Sequence, residues 1–328
     1  MRNDKAEARK VRLGTATLLF GSEDLMGLYD CNGILDNTEE LRKQMDEQGY
    51  LFIRQLHNRD DVLSAREAVL QHIQSKVPEA FDPDKPLQDG VLKLDTEDKK
   101  NKFKEVTSRI QGDNDLVCCE AVKKVLEGDS VKQFFRKFFG QDSKTFTYKW
   151  LRAVEPCGFT GVHVDNVYMS RGTDKLLTVW TPFSDVTMEM GSLAMCEGSH
   201  KLPSFDHFQD TYGSLDLDKE GVVGSGWFSE DANEITQRFG GKWKTADFKA
   251  GDVLIFTQRT VHMSSVNATQ RVRISCDTRW LAESDVADPR YMAPIAPRKP
   301  KYGSFGLGVQ VAPDAVTMEK KKREWGFL

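Results

Sequence analysis

No stretch of the chain runs to eighteen consecutive apolar residues, so nothing in it reads as a membrane-spanning helix. The opening MRNDKAEARKVRLG is charged and lacks the apolar core of a secretory signal, and the closing GFL matches no common peroxisomal tripeptide. The expectation is an intracellular, cytoplasmic protein. A cationic excess is missing too. The 46 basic and 50 acidic side chains give a formal net charge of -4, which offers no broad surface for nucleic-acid phosphates. Six cysteines (Cys31, Cys118, Cys119, Cys157, Cys196 and Cys276) are scattered without CxxC spacing, which indicates neither a metal site of that kind nor a disulfide framework. No internal repeat is visible.

What is present is the mix of an ordinary globular protein, 39% hydrophobic and 29% charged over 328 residues, enough for one large core. Residues 1–35 carry no clean period and read as an extension laid over that core. NTEELRKQMDEQG reads as a helix, with Asn37 as its cap, Glu40 three residues on, and Gly49 as its stop. A strand is expected at 50–56 and a second helix over 60–77. Residues 79–113 read as a solvent-facing connector with one short helix, and helices return at 115–127 and 130–139. Phe134, Phe135, Phe138 and Phe139 recur in the last at helical spacing, which favours packing into the core.

From about residue 144 the texture changes. TFTYKWLRAV, HVDNVYM, KLLTVWTPFSD, SLAMCEGSH, DVLIFTQRTVH and VRISCDTRW are short, rich in β-branched and aromatic residues, and punctuated by turns. Such a series without intervening helices predicts a double-sheet barrel or jelly roll, in a chain that is mainly β with flanking helices. The segment 201–249 interrupts the strands and is placed at the barrel mouth, where long insertions are tolerated. The proline cluster of PRYMAPIAPRKPKYGS argues against a regular element there.

Six histidines are available for chemistry: His57, His72, His163, His200, His207 and His262. His163 and Asp165 are two residues apart, so in a strand they share a face with Cβ atoms roughly 6–7 Å apart, close enough for one ion. His262, after the strand pattern DVLIF, can supply a third ligand. Two histidines and a carboxylate on one face leave three octahedral positions open for a bidentate cosubstrate and O₂. An α-keto acid chelating such an ion needs a cation for its far carboxylate, and arginine's fork matches that group. Arg271, Arg273 and Ser275 share one face by period two; either arginine can serve, and Ser275 adds a hydroxyl.

These motifs together resemble the phytanoyl-CoA dioxygenase (PhyH-type) family of Fe(II)/2-oxoglutarate oxygenases. The residues that carry the likeness are His163-Val-Asp165, WTPFSD at 180–185, MGSLAMCEGSH at 190–200, and His262-Met-Ser-Ser-Val-Asn267-Ala-Thr269 reaching Arg273. The resemblance implies a double-stranded β-helix (jelly-roll, cupin-like) core over about 144–282, within a single domain spanning 36–328. It implies Fe(II) on His163, Asp165 and His262, with 2-oxoglutarate and O₂ as cosubstrates and Arg273 as the carboxylate clamp. The expected reaction is oxidation of an unactivated C–H bond of a small organic metabolite, with release of succinate and CO₂. Retention of Asp165 favours hydroxylation or a related oxidation over halogenation. Met190 stands where relatives carry the first glycine of a pair, and Met263 where many carry glycine, so Met263 is expected to narrow the pocket.

Trp180, beside Thr178 on one strand face, is a candidate contact for 2-oxoglutarate. Thr160, Asn166, Tyr168, Trp227 and Trp280 are candidates for the substrate pocket, and Trp227-Phe228 between glycines resembles a hydrophobic lid. Lys149 and Arg152, ahead of the HxD strand, read first as surface charges, with assistance to an acidic group the alternative for one of them, and His200 reads as a structural residue of its turn. The alternatives are an inactive jelly-roll binding protein, or an oxygenase acting on a protein or nucleic acid. A small-molecule partner fits the composition better. Oligomeric state is not legible.

Overall fold

The computed structural model describes residues 9–294 and 315–328. Its first elements are a hairpin of β1 (Lys10–Leu13) and β2 (Ala16–Leu19), followed by β3 (Leu25–Gly27). Val11, Leu13, Ala16, Leu18 and Leu25 are buried, so this segment belongs to the packed core rather than lying over it. The rest of the proline-rich stretch, 295–304, falls outside the described residues.

Helix α1 (Thr38–Gln48) forms as its capping signals predict. The Asn37 side chain accepts from the Glu40 amide, and Gly49 closes the helix at φ +82°. Any side chain at Gly49 would also meet His200 Nδ1 and Thr260 Oγ1 at 2.6 Å. Strand β4 (Tyr50–Ile53) and helix α2 (Arg59–Lys76) follow. The connector holds one regular helix, α3 (Glu97–Thr107). The single helix expected over 115–127 is instead two pieces, α4 (Asp115–Cys118) and α5 (Glu120–Leu126). Asn114 caps the first, and Cys119 is extended at the break, where its carbonyl accepts the first bond of the second. Helix α6 (Asp129–Phe139) buries Phe135 and Phe138.

The remaining strands are β5 (Ser143–Thr145), β6 (Trp150–Val154), β7 (Leu177–Pro182), β8 (Leu193–Cys196), β9 (Trp243–Thr245), β10 (Val253–Thr257), β11 (His262–Ser264) and β12 (Arg273–Ala282). Between β8 and β9 lie the short helices α7 (Asp206–Asp210), α8 (Leu217–Glu220) and α9 (Ala232–Phe239), and α10 (Met318–Glu324) lies near the C-terminus. One sheet runs β4-β10-β7-β12-β5, with β6 on β12. The other runs β11-β8-β9-β3, antiparallel except for β3 on β9.

Period-two alternation decides what each face covers. On β4 and β10, Leu51, Ile53, Val253 and Ile255 point outward to α1 and α6, while Tyr50, Phe52, Leu254 and Phe256 point inward to Leu193 and Met195 of the second sheet. The second sheet's outer face, with Ala194, Trp243 and Met263, packs against the N-terminal hairpin and helices α7 to α9. The two sheets therefore face each other across a shared interior. Helical residues outnumber strand residues, which corrects the expectation of a mainly β chain: the fold is mixed α/β. Segment 201–249 contributes three helices and β9.

Candidate metal centre

HVDNVYM is not a regular strand. His163 makes one antiparallel bridge to His262, and Asp165–Val167 is a single 3-10 turn. The two histidines exchange both backbone hydrogen bonds (3.0 and 2.9 Å), so they sit directly opposite and share a face. Their ring centroids are 4.1 Å apart. The turn brings the Asp165 carboxylate beside both imidazoles, and Asn166 anchors the turn: its amide donates to Gln258 O and its Nδ2 to Gly213 O. The donor atoms of His163, Asp165 and His262 all lie within 4.8 Å of one another, and all three residues are buried.

Each imidazole is oriented by a backbone carbonyl two residues upstream. His163 Nδ1 donates to Gly161 O (2.8 Å) and His262 Nδ1 to Thr260 O (2.9 Å). That fixes the proton on Nδ1 and leaves the Nε2 lone pair facing Asp165, 3.8 and 3.9 Å from its Oδ1. Burial, with His262 alongside, pushes His163 down to about 3, and burial lowers His262 as well. Burial alone would raise Asp165, but Arg279 first, then the two imidazoles and Thr178, hold it far below the carboxylate range. Neutral imidazoles and an ionised carboxylate are the states a divalent cation requires. Donors sharing one ion at about 2.0–2.2 Å lie roughly 3–4 Å apart, so the set fits a metal with little movement.

Arg273 is 1% exposed, and burial lowers it to about 10. It donates to Ser275 Oγ, its Nε has no partner, and among the described residues no carboxylate lies within 4.0 Å of it. A buried guanidinium without a counter-ion is an open socket for an anion. Ser265 Oγ is another buried, unpartnered atom. Gly191, at φ +83°, lets the backbone pass close by: a Cβ there would sit 3.3 Å from Arg273 Nε. Arg271 is exposed beyond the start of β12, and Trp180 lies inward with Arg273 5.9 Å over its ring. The geometry thus separates two arginines that the sequence put on one face.

The other candidates divide. Trp227 lies tilted beside Phe159 (5.8 Å) and against Gly161, next to half-buried Thr160, while Tyr168 meets the His163 ring at 5.7 Å. Trp280 points away from the interior and stacks on Phe135 of α6 at 4.9 Å, because it falls on the opposite face of β12 from Arg273, Ser275, Asp277 and Arg279, which the alternation turns inward. Phe228 is a core residue. Met263 also faces outward and does not narrow the pocket, and Met190 fills the interior beside Trp180. Lys149 is buried on Glu127 (2.9 Å) rather than at the surface. His200 bonds Asp46 O, His207 bonds Trp325 O, and His57 is buried beside Ser130.

Arg279 and Asp277 were not among the candidates the sequence offered, and Arg152 was read first as a surface charge. Arg279 Nη2 lies 3.2 Å from Asp165 Oδ2, and Arg152 Nε 3.1 Å from Asp277 Oδ2. The signal was there: extending the face of Arg273 and Ser275 by two more steps reaches Asp277 and Arg279.

The sequence model of the phytanoyl-CoA dioxygenase (PhyH) family matches residues 45–275. Two 1-deoxypentalenic acid 11-beta-hydroxylases are similar over nearly their whole length. That of Streptomyces exfoliatus is 24% identical over 91% of this chain and 100% of its own, and that of Streptomyces arenae 22% over 88% and 97%. In fold, the chain is similar to the epimerase SnoN, solved with Fe3+, alpha ketoglutarate and nogalamycin RO. The TM-score is 0.52 at 16% identity, over 86% of this chain and 98% of that one.

Proposed function

Since this chain belongs to the phytanoyl-CoA dioxygenase (PhyH) family and is an Fe(II)/2-oxoglutarate-dependent oxidoreductase acting on a small organic molecule, we propose that it hydroxylates an unactivated C–H bond of a partly apolar metabolite. One observation carries the reading: a preorganised two-histidine, one-carboxylate cluster shares an interior with a buried arginine that has no counter-ion. The two facing sheets are read as the halves of a double-stranded β-helix, with residues 36–328 as one domain. The relatives named 1-deoxypentalenic acid 11-beta-hydroxylase support hydroxylation over the other outcomes of the same chemistry.

In this reading His163, Asp165 and His262 hold the iron, and Arg273, steadied by Ser275, holds the distal carboxylate of 2-oxoglutarate while Trp180 flanks it. With iron and 2-oxoglutarate bound there, the site would activate O₂, which is the oxidant for both the C–H bond and the 2-oxoglutarate that is consumed to succinate and CO₂. The protein's share is orientation and exclusion of water. Thr178 and Arg279 fix the Asp165 carboxylate, the Gly161 and Thr260 carbonyls fix the imidazoles, and Tyr168, Trp227 and Phe159 flank the substrate's approach. Anaerobic addition of Fe(II) and 2-oxoglutarate to the folded protein is expected to give a weak charge-transfer band, lost in His163→Ala. A folded wild type that shows no band refutes the reading.

A further inference from the structure

Three guanidiniums, Arg152, Arg273 and Arg279, face the same interior, against two carboxylates, Asp165 and Asp277. The register explains the crowding. Arg152 on β6 sits directly opposite Ser275 on β12, and residues opposite each other on antiparallel strands share a face. Two of the three arginines have settled tasks. Arg279 is consumed by Asp165, and Arg273 is committed to the cosubstrate under the function proposed above.

Arg152 differs from both. Arg273 and Arg279 are each 1% exposed, whereas Arg152 keeps 35% of its side-chain surface accessible. Yet it stands on the inward face of β6, where burial works against its charge and Asp277, with smaller help from Asp165 and Tyr168, outweighs burial and raises its pKa. A side chain both deep and wet lines an internal recess. Only its Nε is engaged within the protein, by Asp277. The two Nη groups make no hydrogen bond to any described residue, so the edge that grips carboxylates in a fork is free.

We propose that Arg152, braced by Asp277, is the specificity-determining residue that takes the carboxylate of a monoanionic, otherwise apolar substrate. The inference rests on the proposed iron and 2-oxoglutarate site and names the substrate class of that site. Charge balance points the same way. The five side chains sum to one positive charge, and a divalent cation with a dianionic cosubstrate leaves that unchanged. A monoanion restores neutrality, while a neutral substrate leaves a net cation in a low-dielectric interior. The half-buried rings of Phe159, Tyr168 and Trp227 at the approach suit an apolar body behind the carboxylate.

The test uses protein loaded anaerobically with Mn(II) and 2-oxoglutarate. Binding of a panel of monocarboxylates (cyclohexylacetate, adamantane-1-carboxylate and decanoate) is compared with that of their primary alcohols by calorimetry. Wild type is expected to bind at least one carboxylate ten or more times tighter than its alcohol. Arg152→Gln is expected to shrink that preference below threefold with 2-oxoglutarate affinity unchanged, and Arg152→Lys to fall between. Should the lone substitution unfold the protein by stranding Asp277, the neutral pair Arg152→Gln/Asp277→Asn carries the same expectation. No carboxylate preference in wild type, or a preference that survives the substitution, overturns the proposal. So does a tenfold loss of 2-oxoglutarate affinity in Arg152→Gln, which assigns Arg152 to the cosubstrate instead. Failure of wild type to bind 2-oxoglutarate at all overturns the underlying function, a distinct outcome.

Discussion

Thr178 Oγ1 donates a 2.5 Å hydrogen bond to Oδ2 of Asp165, the oxygen that also meets Arg279, while Oδ1 is left for the two imidazoles. One carboxylate is thus divided between a supporting side and a ligating side. Thr178→Val keeps the volume and removes the hydrogen bond, so the carboxylate is free to swing about Arg279. Loss of such an orienting partner costs metal affinity about 10–100-fold. Mn(II) titration of the folded variant is expected to show a loss in that range, with Thr178→Ser close to wild type. Equal affinity in wild type and Thr178→Val would mean the bond orients nothing.

The buried, unpaired state of Arg273 and the exposure of Arg271 set up a second comparison. Truncating the buried partner of a charged ligand group costs on the order of 2–5 kcal/mol, whereas an exposed charge contributes about 0–1 kcal/mol. Arg273→Ala is expected to weaken 2-oxoglutarate binding at least tenfold while sparing Mn(II), and Arg271→Ala to change it little. Calorimetric titrations of both variants decide it; a selective loss in Arg271→Ala would move the clamp two residues upstream.

The triad and the proposed clamp could be picked out in the sequence because their spacing is local: two residues from His163 to Asp165, eleven from His262 to Arg273. What joins them is not. The bridge between His163 and His262 spans almost a hundred residues, and no periodicity encodes it. Helix caps such as Asn37 were readable, since their hydrogen bonds close within three residues. The break at Cys119 was not, because DLVCCEAVKKVLEG keeps helical composition through it. Surface solvation was the first reading of Lys149 and Arg152 for the same reason, and it fails outright for buried Lys149: a charged side chain reads as solvated unless its distant partner, Glu127 or Asp277, is known.

Trp280 supplies a third expectation. Its stacking on Phe135 beneath α6 makes it part of the wall between sheet and helices, outside the pocket. Trp280→Ala leaves a large cavity and is expected to cost about 3–5 kcal/mol of stability. Affinity for Mn(II) and 2-oxoglutarate should stay within about threefold, because β12 is held by β6 and β7 on either side. Urea unfolding and calorimetry on the same preparation separate the two readouts. A variant as stable as wild type but defective in binding would return Trp280 to the pocket.

His57 provides a pH-dependent expectation remote from the metal ligands. It is buried with Nε2 unpartnered, Nδ1 3.3 Å from Ser130 Oγ on α6, and its backbone amide tied to Gly251 O. Burial lowers it to about 4, against a weaker opposing pull from Asp61 on α2. The unfolded chain, with an ordinary value of about 6.5, binds the proton first as pH falls. Between about 6.5 and 4 the unfolded state therefore holds more protons, and stability declines with falling pH by up to about 1.4 kcal/mol per unit. The contribution is complete above 6.5 and lost by about 4, some 3 kcal/mol in all. His57→Leu removes the titrating group and the unpartnered nitrogen while filling similar space. The variant is expected to match or exceed wild type near pH 7.5 and to gain on it steadily as pH falls to 4. Urea unfolding of both proteins in chelator across that range reads the difference, and His163 and His262 cancel because both proteins carry them. A difference that stays constant with pH would show that His57 titrates alike in the folded and unfolded chains.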